Sequence, residues 1–508
     1  MKILVAGPGT GKTVGIDRII SDNGGGSRFL ILSFTNATVN DLQKKLTKQK
    51  ITSKNCMTLH KFAMKYNHDK TRHLLLPKEV DELKTISKGT GIDFGNLCDF
   101  LACTTFDQMI ERFIEYAKIN PLYLKEKLSD YDALIVDEYQ DFSTHEQALI
   151  DILVENIQDS YILGDDDQCI YDGFKDTTSE KLIFLYQDDL NEKIPHEHIC
   201  YRCPDKVVEH ATCLITNNRK RIQKEWKKSG KLGKIEYSQL ETFDEVANAI
   251  YEKVKDITVE SVLILAPVKF AAEPIMKKLQ ENNVEFSNYF AERISQILIT
   301  KSWEIKSIFG KYKYTNLIFL GYSKLSNRKK FYGLIKNHFD TGQKYEEMYN
   351  SLLRFLPDQI KDTTLDLETL LSQDCFCDIL DLYQKADGDN CDDKLENIFK
   401  NGEEESDKDI KVMSIHKSKG LGADHVFIVG LNEGILPNKK DGNDKIESQR
   451  RLLYVGMTRT QKQLYLFSSI YIPGNLTNKV NACDFKYDYK RKTMRGRASS
   501  FLSELKLP

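Results

Sequence analysis

Residues Gly7-Pro8-Gly9-Thr10-Gly11-Lys12-Thr13 combine what is needed to hold a triphosphate. Glycines let successive backbone N–H groups face the anion, a lysine brings charge to the β- and γ-phosphates, and a threonine hydroxyl suits Mg²⁺. Ala6 stands where the strict pattern has its first glycine. Asp137 and Glu138 form a second group. One acid can hold Mg²⁺ through water while its neighbour polarises an attacking water. Gln168, after Gly164-Asp165-Asp166-Asp167, is placed to sense a γ-phosphate and to couple it to Tyr171. Tyr201-Arg202 sets an aromatic that can stack on a base beside a cation that can reach a phosphate. Arg459 lies near the end of a helix predicted over Glu447 to Thr460. Delivered by a second domain, such an arginine would make hydrolysis depend on domain closure, an effect worth about 10³–10⁵ in rate. In the same helix Arg451 is one turn from Glu447, close enough to pair with it.

The elements that position these residues alternate between apolar strands and helices. Ile3-Leu4-Val5 reads as a buried strand ahead of the glycine turn, with Lys12-Thr13 opening a helix. Phe29 to Leu32 is a second strand, and Met57 to Phe62 has the same character. Ala133 to Val136 feeds the acid pair, and Tyr161 to Leu163 feeds the Gln168 turn. Ligands sit at the carboxyl ends of strands in open α/β sheets, which makes Phe34, His60 and Phe62 candidate base or phosphate contacts. For the aromatics, core packing is the equal alternative. A second alternating block begins near Gly233: a helix from Glu241 to Val254, a strand from Ser261 to Leu265, and a helix through Leu279. The last block opens at Lys411 and carries a strand from His425 to Val429.

Two stretches break the alternation. Residues 65–129 read as helical and polar, with Phe106, Met109, Ile110, Phe113 and Ile114 at heptad-like spacing. Residues 290–400 are again helical and locally basic and aromatic, as in Lys311-Tyr312-Lys313-Tyr314 and Arg328-Lys329-Lys330-Phe331-Tyr332. Such interleaving suits a nucleic-acid track, and solvated helix faces look the same in sequence. Glu403-Glu404-Glu405-Ser406-Asp407 reads as an exposed acidic linker.

At 508 residues the chain should hold more than one domain. A net charge of −2 excludes a global basic field, so any nucleic-acid contact must come from a local groove. No apolar run approaches the roughly twenty residues of a membrane span. The chain enters its first strand at once, leaving no signal peptide, and a cytoplasmic location without membrane contact is expected. The 11 cysteines form no paired framework. Cys200 and Cys203, and Cys375 and Cys377, lack partner pairs at zinc-ribbon distance, and reduced thiols are expected.

Taken in order, AGPGTGKT, LSFTNAT, TLHKFA, IVDEYQD, LGDDDQCIY, YRCP, VMSIHKSKG and LLYVGMTRT form a series that resembles the UvrD/Rep/PcrA group of superfamily-one DNA helicases. The series runs almost from first residue to last, and Ser499-Ser500-Phe501-Leu502 looks like that group's closing helix. The resemblance implies an α/β chain of two RecA-like P-loop domains with parallel sheets, each carrying a mainly helical insertion. The first domain would comprise residues 1–64 and 130–215 around an insertion at 65–129. The second would comprise 216–289 and 406–508 around an insertion with its acidic linker at 290–405.

The resemblance further implies ATP and Mg²⁺ between the domains and single-stranded DNA across them. Gly7, Gly9, Thr10, Gly11, Lys12 and Thr13 would hold phosphate, Thr13 and Asp137 the metal, and Glu138 would be the general base. Gln168 would sense the γ-phosphate with Arg202 and Arg459, Tyr201 would stack on adenine, and Gly420 would border the nucleotide. Phe34, Asn36, His60, Tyr171 and His416 match positions that touch DNA or couple it to ATP. The implied activity is ATP-driven 3′-to-5′ movement on single strands and unwinding at duplex junctions. The alternative is a DNA-sensing ATPase subunit that switches a protein partner, in repair or phage defence. An unrelated P-loop kinase or GTPase would not explain Gln168, Arg459 and their order.

The chain also departs from the group's pattern. It starts without the usual glutamine-bearing segment that reads adenine, Val14 stands where relatives place an arginine, and Gly422 where a glutamate to the ribose is usual. Asp172-Gly173-Phe174-Lys175 replaces an aromatic-arginine pair, with Phe174 a substitute only after a one-residue slip. Both insertions look short, and no appended nuclease domain is expected after the last motif. These departures bear on ATP selectivity more than on hydrolysis: if they loosen the base pocket, GTP should compete with ATP.

Overall fold

The computed structural model describes residues 1–25, 28–49, 51–52, 54–172, 176–257, 259–290, 296–324, 328–342, 345–353, 366–371, 377–386, 390–392, 394–395, 409–438, 445–473, 480, 487–488 and 492–507. Phe174, Cys375 and the acidic run Glu403 to Asp407 lie outside them. The chain divides into two compact units. Residues 1–65, 117–291 and 406–508 form the larger, and 66–116 with 292–405 the smaller.

The larger unit holds two six-stranded parallel sheets. The first runs, edge to edge, Cys56–Thr58, Phe29–Ser33, Ala133–Val136, Asp159–Gly164, Lys2–Val5 and Glu192–Lys193. Its central strands are continuous apolar runs because both faces are covered. Leu4, Ile31, Ile135 and Leu163 pack with Ile16, Ile19 and Ile20 of the helix Lys12–Asp22. The second sheet runs Ser287–Asn288, Ile410–Ser414, Val262–Ala266, Ala423–Ile428, Thr460–Ser469 and Lys234–Leu240. The two-residue period of its central strand divides the core. Leu263 and Leu265 face the helices Asp205–Ile215 and Ile446–Met457, while Val262 and Ile264 face Phe243–Val254 and Lys269–Glu281. The helix Asp205–Ile215 thus packs on the second sheet, although it lies on the first-domain side of the expected boundary at 215.

Two local expectations change. The third strand is only Cys56–Thr58, and a helix, Leu59–Tyr66, starts immediately after it. The Thr58 hydroxyl accepts the Lys61 N–H and so caps that helix. Phe62 then points into the core with no exposed surface and is removed from the stacking candidates. Arg451 does not pair with Glu447. Its Nη2 donates to Asp172 Oδ2 at 2.9 Å and its Nε to the Cys169 carbonyl at 2.7 Å. Glu447 instead accepts the Arg219 N–H at 2.9 Å. A solvated pair one helical turn apart contributes only about 0.2–0.5 kcal/mol, so a buried partner elsewhere wins.

In the smaller unit the two helical stretches share one core. Leu83, Ile86 and Leu97 pack with Trp303, Phe319 and Phe331. Trp303 Nε1–H donates to Glu79 at 3.0 Å, and His73 lies 3.1 Å from the other Glu79 oxygen. Phe331 is buried there, and Lys311 and Tyr312 both donate to the Lys70 carbonyl. Phe331 is thus spent on packing, while Lys311 and Arg328 to Lys330 remain exposed. Among the described residues, no helix is long and apolar enough to cross a membrane.

The placement of Phe62 gives a direct test. Phe62→Ala should destabilise the protein by about 3–5 kcal/mol, read as a lower thermal or denaturant midpoint. An unchanged midpoint with weaker DNA binding would restore it as a contact residue.

Candidate functional site

The strand Lys2–Val5 delivers the glycine turn at its carboxyl end, and Gly11 takes a left-handed φ of 89° at the start of the helix Lys12–Asp22. No side chain caps that helix, so its first N–H groups remain available to an anion. Gly9 is also left-handed, at φ 72°, and a Cβ there would stand 2.6 Å from Arg202 Cβ. The missing side chain lets the Tyr201-Arg202 segment dock on the turn, with Tyr201 N–H donating to the Gly9 carbonyl at 2.9 Å.

A cleft of about 660 Å³ opens here, lined by Gly7, Gly9, Gly11, Lys12, Thr13, Asp137, Glu138, Gln168, Tyr201, Arg202, Gly420 and Arg459. All the expected nucleotide residues therefore meet on one surface except Thr10. Its hydroxyl turns back to donate to the Gly7 carbonyl at 2.7 Å and meets His196 Nε2 at 2.9 Å. Thr10 shapes the turn from within.

The strand Ala133–Val136 ends in Asp137 and in Glu138, which is itself left-handed at φ 55°. Lys12 Nζ lies 2.5 Å from Glu138 Oε1 and 3.4 Å from Asp137 Oδ1. Burial opposes the Lys12 charge, and the two acids more than offset it, raising its pKa. Burial likewise opposes the Glu138 charge, but Lys12 and Lys419 hold that carboxylate well below the usual range. Burial raises the Asp137 carboxyl despite Lys12. Asp137 Oδ1 is buried without a hydrogen-bond partner. That carboxylate oxygen, 3.4 Å from the Lys12 ammonium and on the cleft that Thr13 also lines, fits a hard divalent cation, with Asp137 and Thr13 as the residues that would hold it.

Gln168 follows the strand Asp159–Gly164 and is oriented by Asp165, to which its Nε2 donates at 2.8 Å. From the second sheet, Arg459 Nη2 donates to Gln168 Oε1 at 3.3 Å. Arg459 is 1 % exposed, and its other partners are the Val455 and Leu421 carbonyls and the Thr458 hydroxyl. Burial, aided by Arg202, pushes its pKa down to about 9. A guanidinium keeps its proton, so this is a buried cation facing the cleft with neutral hydrogen-bond partners.

Lys419 spans the two sheet lobes more tightly. Its ammonium lies 2.5 Å from Asp141 Oδ2 and donates to the Gln168 carbonyl at 2.7 Å. Burial pushes the Asp141 carboxyl up to about 7 against the pull of Lys419.

The expected DNA residues fall into two places. Phe34, Tyr171 and His416 form a row across the lobes, with ring centroids 5.3 Å and 6.4 Å apart, and the Lys419 ammonium lies 5.6 Å from the Tyr171 ring centre. His60 instead pairs with Glu146 at 2.9 Å, and Asn36 is exposed on the first turn of the helix Asn36–Lys45. Cys200 and Cys203 are buried thiols in the second core, and Cys203 Sγ donates to the Thr458 carbonyl at 3.4 Å.

Sequence reasoning missed the segment that braces this site. Trp226 Nε1–H donates to the Pro8 carbonyl at 3.2 Å, and its ring meets Tyr454 edge-on at 5.6 Å. Lys224 sits among Asp165, Asp166 and Asp167 at 3.1, 2.5 and 2.8 Å, while Arg221 binds Asp167 through two hydrogen bonds. That acid cluster therefore holds a lysine. A tryptophan after the basic run Arg219 to Lys224 was the available signal, and nothing in its spacing points to the glycine turn.

Comparison with known proteins agrees with this arrangement. A model of the UvrD-like helicase C-terminal domain matches residues 294–470, and one of an AAA domain matches residues 1–174. The chain is 28% identical to the ATP-dependent DNA helicase Rep of Buchnera aphidicola (from Acyrthosiphon pisum), over 65% of this chain and 62% of that protein. It is 22% identical to the ATP-dependent DNA helicase PcrA of Leuconostoc citreum, over 71% of this chain and 57% of that one. For DNA helicase II of Haemophilus influenzae the identity is 22%, over 81% and 67%. The chain thus spans about three fifths of the length of the Rep and PcrA relatives. With its motifs in order on paired parallel sheets, the chain carries a match to the UvrD-like helicase C-terminal domain over residues 294–470 and to an AAA domain over residues 1–174, and is similar to the superfamily-one helicases of the UvrD/Rep/PcrA group.

Proposed function

We propose that this protein is an ATP-driven motor on single-stranded DNA, moving 3′ to 5′ and separating duplex at junctions. The observation that carries the reading is Arg459. A buried cation with neutral hydrogen-bond partners, on the same cleft as Lys12 and Arg202, calls for an anionic ligand in the cleft. A triphosphate held by the glycine turn meets that need and brings the second lobe to the γ-phosphate.

On this reading, Lys12 leaves the acid pair for the β- and γ-phosphates when ATP enters. Glu138 is then released to take the proton of the attacking water, with Gln168, Arg202 and Arg459 around the developing charge. A Mg²⁺ held by Thr13 and Asp137 would neutralise charge on the phosphate oxygens. Lys419 touches Asp141, the Gln168 carbonyl and the Tyr171 ring, so lobe movement at the nucleotide shifts the aromatic row. Bases stacked on Phe34 and Tyr171 would each contribute about 1–3 kcal/mol and would be gripped and released with each cycle.

The experiment is steady-state ATP hydrolysis with and without single-stranded DNA, followed by strand displacement from 3′- and 5′-tailed duplexes. Lys12→Ala serves as the blank. The motor reading requires DNA-stimulated turnover and displacement from the 3′ tail. A turnover indifferent to DNA would favour the partner-switching ATPase.

Two substitutions probe the parts. Glu138→Gln should bind ATP and lose at least about 10²-fold in turnover, and near-normal turnover would remove Glu138 as the base. Lys419→Met should cost about 3–5 kcal/mol of stability by stranding the Asp141 carboxylate, with much of it recovered in the Asp141→Asn, Lys419→Met double variant. Additive losses in that cycle would show that the two side chains do not interact.

A further inference from the structure

We propose that Gln461 reads the sugar of the bound nucleotide, an inference that rests on the nucleotide reading of the cleft. Gln461 lines the same cleft as Lys12, Tyr201 and Arg459. It is aimed there by an irregularity in the sheet. Ala423 pairs with Thr460, but His425 pairs with Gln463, so the strand Thr460–Ser469 carries one extra residue between these points. Such a bulge redirects the side chains it contains.

Gly422 makes the room. A Cβ at Gly422 would stand 2.9 Å from Gln461 Nε2, so the carboxamide occupies the space a side chain at 422 would take. Among the described residues that carboxamide has no hydrogen-bond partner, whereas the other amide of the cleft, Gln168, is committed to Asp165 and Arg459.

The chemistry of the cleft then sorts the ligand. Lys12, Arg202 and Arg459 supply the cations for the phosphates, and the exposed ring of Tyr201 offers a flat apolar surface to the base. What remains of a nucleotide is a vicinal diol, two neighbouring hydroxyls that each donate and accept. A carboxamide answers it with one acceptor and one donor group on a single plane. A neutral amide also adds no charge that would compete with the phosphates for the cations. Sites built to hydrogen-bond a hydroxyl reject analogues that lack it.

The test compares KM for ATP, 2′-deoxy-ATP, 3′-deoxy-ATP and GTP in the wild-type protein, Gln461→Ala and Gly422→Ala. Wild-type KM should be about tenfold higher for at least one deoxy analogue than for ATP. That ratio should fall towards one in Gln461→Ala. It should also fall in Gly422→Ala, where the added methyl displaces the amide without removing it. The GTP-to-ATP ratio should be the same in all three. Equal wild-type KM values for the three sugars, or a sugar ratio that survives Gln461→Ala, would overturn the assignment. So would a change confined to the GTP-to-ATP ratio, which would place the amide on the base edge. Absence of Lys12-dependent ATP turnover would overturn the nucleotide reading itself, and this inference with it.

Discussion

The buried ammonium of Lys419 ties the two sheet lobes together beside the cleft proposed to hold the nucleotide. It comes from the second lobe, beside Gly420, and ends on Asp141 and on the Gln168 carbonyl of the first. Asp141 follows the acid pair by one turn and Gln168 is the expected phosphate sensor, so one cation touches the backbone or side chains of two site-forming loops. Taking these charges out of water costs several kcal/mol per ion, and only close, multiple contacts offset that cost. The geometry is therefore demanding. If the lobes shift, Lys419 must lose its partners or carry the Asp141 and Gln168 loops with it.

A second constraint works from behind. The segment containing Arg221, Lys224 and Trp226 holds the acid cluster ahead of Gln168 with two cations and the glycine turn with an indole N–H. The turn and the sensor loop are thus fixed to one strut, which also packs on Tyr454 of the second lobe. On the proposed reading, groups held this way would need little rearrangement as charge develops on a bound nucleotide.

Much of this was legible in the sequence because strand ends are marked by abrupt changes of residue type. Leu4-Val5 before glycines, Ile135-Val136 before two acids and Leu163 before Gly164 each place a candidate site residue at or just beyond a strand's carboxyl end. What the sequence hid depends on packing between distant segments. Phe62 looked like Phe34 until the Thr58 cap turned its strand into a helix and buried it. Arg451 had a partner one turn away, yet Asp172, far off in sequence, was better placed in the buried boundary. Thr10 matched the phosphate motif, but its hydroxyl closes the turn on itself. Gln461 carried no motif at all, and only the bulge beside Gly422 brings it to the cleft.

The central claim is that the second lobe completes the nucleotide site of the first through Arg459. Its most direct test is Arg459→Ala, measured for nucleotide affinity and for DNA-stimulated turnover in the same preparation. The account predicts that binding persists, because the glycine turn and Lys12 are untouched, while turnover falls by about 10³-fold or more. An unchanged turnover would contradict it, leaving the first lobe to hydrolyse its nucleotide alone.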